Sequence, residues 1–183
     1  MSAEPIRLFV FGLGYSSTAF ARALKARAAW IGGTVRTAER AALLKSEGFE
    51  TFIFDGSPSA TVRPALAAAT HVLVSIAPGD AGDPVLAHHR ADLLAAGNLR
   101  WIGYLSTVGV YGNYGGAWVS ERTTPHPTRG RSAVRLDAEK AWLALGAERA
   151  APTGIFRLAG IYGPGRNAFV NLAEGKAHRV IKP

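Results

Sequence analysis

The sequence predicts an α/β protein on a doubly wound parallel sheet, with helices covering both faces in a three-layer αβα arrangement. Two observations carry that expectation. Short apolar runs alternate with helix-forming stretches along nearly the whole chain, which is the pattern of βαβ crossovers. The runs are also continuously apolar, as expected of strands buried on both sides. At 183 residues, 48% apolar and 19% charged, the chain suits one folded domain spanning residues 1–183, and chains of this size bury roughly 70% of their unfolded surface.

Each element follows from local chemistry. Residues 7–11 (RLFVF) form a first strand ending at a glycine turn, and residues 15–29, rich in helix formers and free of proline, a first helix. Residues 30–36 make a second strand, weakened by Gly32 and Gly33. Residues 38–47 read as a helix with Gly48 as its stop. Residues 49–54 are a third strand, 61–69 a short alanine-rich helix, and 71–76 (HVLVSI) a fourth strand ended by Pro78 and Gly79. A helix over 84–96 is capped by Gly97, and 101–106 is the fifth strand. The glycine- and proline-rich loop 112–130 is long enough to be functional or mobile. A helix over 132–145 and a sixth strand over 153–158 complete the pattern.

Composition narrows the function classes. No apolar run approaches the roughly 18 residues needed to span a bilayer, and an acid and a proline precede the first apolar stretch, unlike a signal peptide. The absence of cysteine removes disulfides, thiolate metal sites and cysteine nucleophiles, and fits a cytoplasmic location. The formal charge of +8 raises nucleic acid as a partner, but the basic residues, Arg129 and Arg179 among them, are dispersed and form no dense run with interleaved aromatics. His88, His89 and His126 lack metal-ligand spacing, so no metal is expected.

Gly12-Leu13-Gly14-Tyr15-Ser16-Ser17 lies between the first strand and the first helix. A tight turn needs the first glycine, close approach of a pyrophosphate needs the second, and the helix then offers free N–H groups and its positive dipole end. Ser17 stands where a third glycine would permit close helix–strand packing; Ser16 or Ser17 could also donate to a phosphate. In this setting the turn marks a dinucleotide-binding Rossmann fold. At the end of the second strand, where an NAD site has an acid for the ribose 2′-hydroxyl, the chain has Arg36 and Thr37, with Arg40 one turn on. Arginine forks onto a 2′-phosphate that an acid would repel, so NADP is expected over NAD. The alternative is that Arg36 and Arg40 are ordinary solvated charges.

Four stretches in order, GLGYSS from Gly12, FDG from Phe54, YLSTVGVYG from Tyr104 and FRLAGIYGPGR from Phe156, resemble the atypical and extended short-chain dehydrogenase/reductases, the NAD-dependent epimerase/dehydratase group. The resemblance implies that Asp55 and Gly56 lie by the adenine and that Ser75, Ile76, Ala77 and Pro78 line the adenosine side. It also implies that Thr107, four residues before Tyr111 and beside Ser106, polarises a substrate oxygen; the alternative is that both hydroxyls merely close the strand end.

The chain departs from that group in two ways. The family's acid/base tyrosine, four residues before a lysine, falls on Arg131 and Arg135 in the register marked by Glu139. Arginine does not shuttle protons near neutral pH. Arg135 could still hold ribose or phosphate, and Tyr111 or Tyr162 could substitute for the tyrosine or be structural. Extended members are also longer, with substrate residues concentrated toward their C-termini. This chain ends at 180–183, so the expectation is a member truncated after the sixth strand, with most of the substrate-binding part missing. Two readings follow: an NADP(H)-dependent oxidoreductase or epimerase/dehydratase acting on a carbonyl compound or nucleotide-sugar, or a non-catalytic NAD(P)-binding module. Dimeric relatives add a homodimer to the expected partners.

Overall fold

The computed structural model describes residues 5–128 and 130–176. Arg129, Arg179 and the chain end at 180–183 lie outside the described residues. Six strands, β1 (Ile6–Phe11), β2 (Ala28–Val35), β3 (Glu50–Ile53), β4 (His71–Val74), β5 (Trp101–Thr107) and β6 (Thr153–Leu158), form one sheet in the order β3-β2-β1-β4-β5-β6. Every neighbouring pair is parallel. The crossovers contain α1 (Tyr15–Leu24), α2 (Ala38–Ser46), α3 (Val62–Ala68), α4 (Pro84–Ala95) and α5 (Arg131–Arg149), and α6 (Ala168–Ala173) follows β6. The strand order reverses between β1 and β4, which opens a crevice at their carboxyl ends.

Alternation along β1 explains the layers. Leu8 and Val10 enter one core with Ala21 of α1 and Ala41 and Leu44 of α2. Phe9 and Phe11 enter the other, with Leu66 of α3, Leu93 of α4 and Trp142 of α5. All four β1 side chains are buried, each contributing roughly 1.5–3 kcal/mol. No helix among the described residues is long and apolar enough to cross a membrane.

Several boundaries differ from those predicted. The first helix stops at Leu24 and not at residue 29, because Ala28 already pairs with Ile6; sheet pairing overrides alanine's helix propensity there. The helix predicted over 132–145 runs from Arg131 to Arg149 and ends on Ala150 in the left-handed region, at φ +55°. Neither α6 nor the 3₁₀ turn Val108–Tyr111 was expected from periodicity. Gly32 and Gly33 do not weaken β2; they fit it. A Cβ on Gly32 would lie 2.3 Å from the Trp30 indole, and one on Gly33 would lie 2.6 Å from the Val10 carbonyl oxygen and 2.9 Å from Leu13.

Gly33→Ala is therefore expected to destabilise the domain by about 1–3 kcal/mol in urea unfolding, the range for overpacking. Gly97→Ala, whose Cβ would meet open space, is the matched control and is expected to change stability by less than about 0.5 kcal/mol.

Candidate functional site

The chain leaves β1 at Phe11 into a turn held from three directions. Gly12 N–H donates to Thr34 Oγ1 and Leu13 N–H to the Thr34 carbonyl, both at 2.8 Å. Ser17 Oγ donates to the Gly12 carbonyl at 2.6 Å and accepts from Gly14 N–H at 3.0 Å. Both side chains are buried. The N–H groups of Tyr15, Ser16 and Ser17, by contrast, have no partner among the described residues, as the first donors of a helix do not. They open α1 with its positive dipole end, a geometry that favours an anion.

The two glycines have different reasons to be glycine. Gly12 has φ +87°, and its Cβ would lie 2.8 Å from Ile76 Cγ1. A Cβ on Gly14 would meet nothing nearer than the Gly12 carbonyl at 4.0 Å, so a side chain there would project into open space at the cradle. The residues present therefore fit a diphosphate.

A cavity of about 860 Å³ lies along the carboxyl ends of the strands, within the size range of cofactor sites. Its wall joins Gly12 to Gly14, Arg36, Thr37, Arg40, Asp55, Gly56, Ser75, Ile76 and Ala77, so most of the sequence-derived set meets in one place. Thr37 caps α2 by accepting from Arg40 N–H. Arg40 donates to Thr18 Oγ1 at 3.4 Å. The nearby acid Glu39 stays outside the lining; its carboxyl is held below the usual range by its own backbone N–H and by Thr37. The Asp55 carboxyl is likewise lowered, by the N–H and then the hydroxyl of Ser57.

Other expected residues lie elsewhere. Tyr15, Ser16, Ser17 and Pro78 fall outside the cavity lining. Ser17 is buried and its hydroxyl donates to the Gly12 carbonyl, so it packs the turn where a third glycine would stand. Arg135 also falls outside the cavity lining; its guanidinium donates to the Leu105 carbonyl at 2.9 Å and lies over the Tyr104 ring. Thr34, Asp83, Trp142 and the cavity role of His88 were not anticipated. Asp83 caps α4, accepting from Val85 and Leu86 N–H, and its second oxygen accepts from Trp142 Nε1 at 2.8 Å. Burial pushes its carboxyl up. The Asp83-Pro84 pair before a helical run was the one local signal, an N-cap followed by proline at the first helical position.

The hydroxyls at the end of β5 separate by how they are bonded. Ser106 Oγ donates to Glu139 Oε1 at 2.5 Å, and Glu139 is buried in an ion pair with Arg157 at 2.7 Å. The Arg157 guanidinium lies 4.8 Å from the Tyr111 ring centroid, and Tyr111 Oη donates to the Ser120 carbonyl at 2.8 Å. Ser106 and Tyr111 thus each donate to a group of the fold, Glu139 and the Ser120 carbonyl. Thr107 Oγ1 accepts from Gly109 N–H at 3.1 Å, and its hydroxyl hydrogen has no acceptor among the described residues. Tyr162 is 83% exposed.

Asp83→Ala removes a helix cap and leaves a buried indole N–H unpaired, so it is expected to lower stability by about 2–4 kcal/mol and the unfolding temperature by roughly 5–15 °C, read by thermal denaturation.

No protein-family model matches the sequence, and no curated protein matches it. Solved structures do. A conserved protein of unknown function from Silicibacter pomeroyi shares 41% identity over 97% of this chain and 60% of its own, with a TM-score of 0.84. A provisionally assigned NAD-dependent epimerase/dehydratase from Methylobacillus flagellatus shares 26% identity over 88% and 56%, with a TM-score of 0.65. UDP-glucuronic acid 4-epimerase from Bacillus cereus, solved in complex with NAD, shares 22% identity over 93% and 64%, with a TM-score of 0.72. The chain thus spans about 60% of the length of these structures.

Proposed function

We propose a function from one premise, that this chain belongs by fold to the short-chain dehydrogenase/reductase superfamily, among the NAD-dependent epimerase/dehydratases: it binds a nicotinamide dinucleotide, NADP(H) in preference to NAD(H). The observation that carries the proposal is the pair of glycines beneath unpaired N–H groups at the start of α1, opening on a cavity with Arg36 and Arg40 in its wall. The diphosphate would rest on the N–H groups of Tyr15 and Ser16. Adenosine would lie toward Asp55, Gly56, Ser75, Ile76 and Ala77, and the two arginines would meet a 2′-phosphate. The Bacillus cereus epimerase was solved with NAD; the NADP preference rests on this chain's own cationic wall. A charged hydrogen bond contributes roughly 1.5–3 kcal/mol, or about 10- to 100-fold in affinity.

The reaction class is oxidoreductase or epimerase/dehydratase chemistry on a carbonyl compound or nucleotide-sugar, for which the bound nicotinamide supplies hydride transfer. Thr107, at the end of β5 and outside the cavity lining, would donate to a substrate oxygen as charge develops on it. In the register that Glu139 marks, Arg131 and Arg135 fall at the positions of the acid/base pair, and Ser106 and Tyr111 already donate to Glu139 and to the Ser120 carbonyl. That favours a second reading, a module that binds the dinucleotide without turnover.

Titration with NADPH and NADH, followed by fluorescence, tests the binding. Arg36→Asp is expected to weaken NADPH by about 10- to 100-fold with a smaller effect on NADH; unchanged selectivity would refute the arginine assignment. Assays against aldehydes and nucleotide-sugars separate the two readings. Under the enzymatic one, Thr107→Ala lowers kcat by about 100-fold or more while the NADPH Kd stays constant.

A further inference from the structure

The segment between β6 and α6 is tied to the first residue of α1. Tyr15 Oη donates to the Pro164 carbonyl at 3.1 Å, and the Arg166 guanidinium lies 5.5 Å from the Tyr15 ring centroid. Gly163 comes so close that a Cβ there would lie 2.3 Å from Tyr15 Oη. The segment is preformed, since Gly163 and Arg166 exchange N–H···O bonds at 2.8 and 2.9 Å. Asn167 joins it to α6, donating to the Gly163 carbonyl and accepting from Phe169 and Val170 N–H. Among the described residues, the hydrogen bonds and ring contacts that lead from 160–167 into the body of the domain all end on Tyr15. Helix α6 has no buried residue of its own.

Tyr15 therefore faces two ways. Its N–H belongs to the unpaired set over the cradle, and its side chain holds the segment. Arg166 has no acidic partner among the described residues, and it sits beside the positive end of α1, an unfavourable placement until an anion arrives. We propose that Tyr15 is a positioning residue that couples the cradle to residues 160–173: a diphosphate on the N–H groups of α1 steadies the Tyr15 ring, relieves the repulsion on Arg166, and tightens the hold on this segment. This rests on the dinucleotide reading above.

Amide hydrogen exchange with and without saturating NADPH tests the coupling. In the unaltered chain, amides of 14–18 and of 163–167 are both expected to slow, the latter by about fivefold, the worth of one ordinary hydrogen bond. Tyr15→Phe combined with Arg166→Gln removes both tethers while keeping the ring. It is expected to retain the slowing at 14–18 and to lose it at 163–167. Tyr15→Phe alone is expected to lose part of it. Slowing at 14–18 without slowing at 163–167 in the unaltered chain overturns the coupling and leaves the dinucleotide reading standing, and so does slowing at 163–167 that survives in the double variant. No response in either region overturns both.

Discussion

The two bonds from Thr34 to the turn after β1, one from its hydroxyl oxygen and one from its carbonyl, set the position of everything else in the site. They join the central strand to its neighbour at the point where the chain must reverse into α1. Ser17 then closes the turn from the helix side. With Gly12 and Leu13 held in this way, the start of α1 is aimed at the crevice between β1 and β4 before any ligand arrives. A preorganised set of N–H donors is what makes such a cradle effective, since little ordering is left to binding.

The rest of the cavity depends on that placement. Gly33 allows Leu13 and the Val10 carbonyl to approach β2, so the turn lies close enough for Arg36 and Arg40 to share its cavity. On the far wall, Asp83 is tied to helix α5 through Trp142, and this fixes the start of α4 against the sheet. The site is therefore bounded by three helix starts: α2 capped by Thr37, α4 capped by the buried Asp83 carboxylate, and α1 left open. Only the open one can receive an anion.

Beyond the cavity, the end of β5 is dominated by a buried ionic network. Glu139, Arg157 and Ser106 satisfy one another, with Tyr111 packed against the guanidinium. Such a network is costly to break once buried, and it uses the donors that could otherwise have served chemistry. Thr107 stands apart from it: its oxygen accepts from Gly109 N–H, and its hydrogen has no acceptor among the described residues. The resemblance pointed to Ser106, Thr107 and Tyr111 together; the hydrogen bonds separate them.

The sequence by itself determined the alternation of strands and helices, the glycine turn, and the basic end of β2. Each is a local property, written in residues a few positions apart: an apolar run, a glycine that admits positive φ, an arginine where an acid would stand. Tertiary structure alone decided which polar groups remained available. Thr34 lies 22 residues from Gly12, Ser106 is 33 from Glu139, and Asp83 is 59 from Trp142. A hydrogen bond uses up its donor wherever its partner lies along the chain, and no periodicity records a partner that only folding brings near.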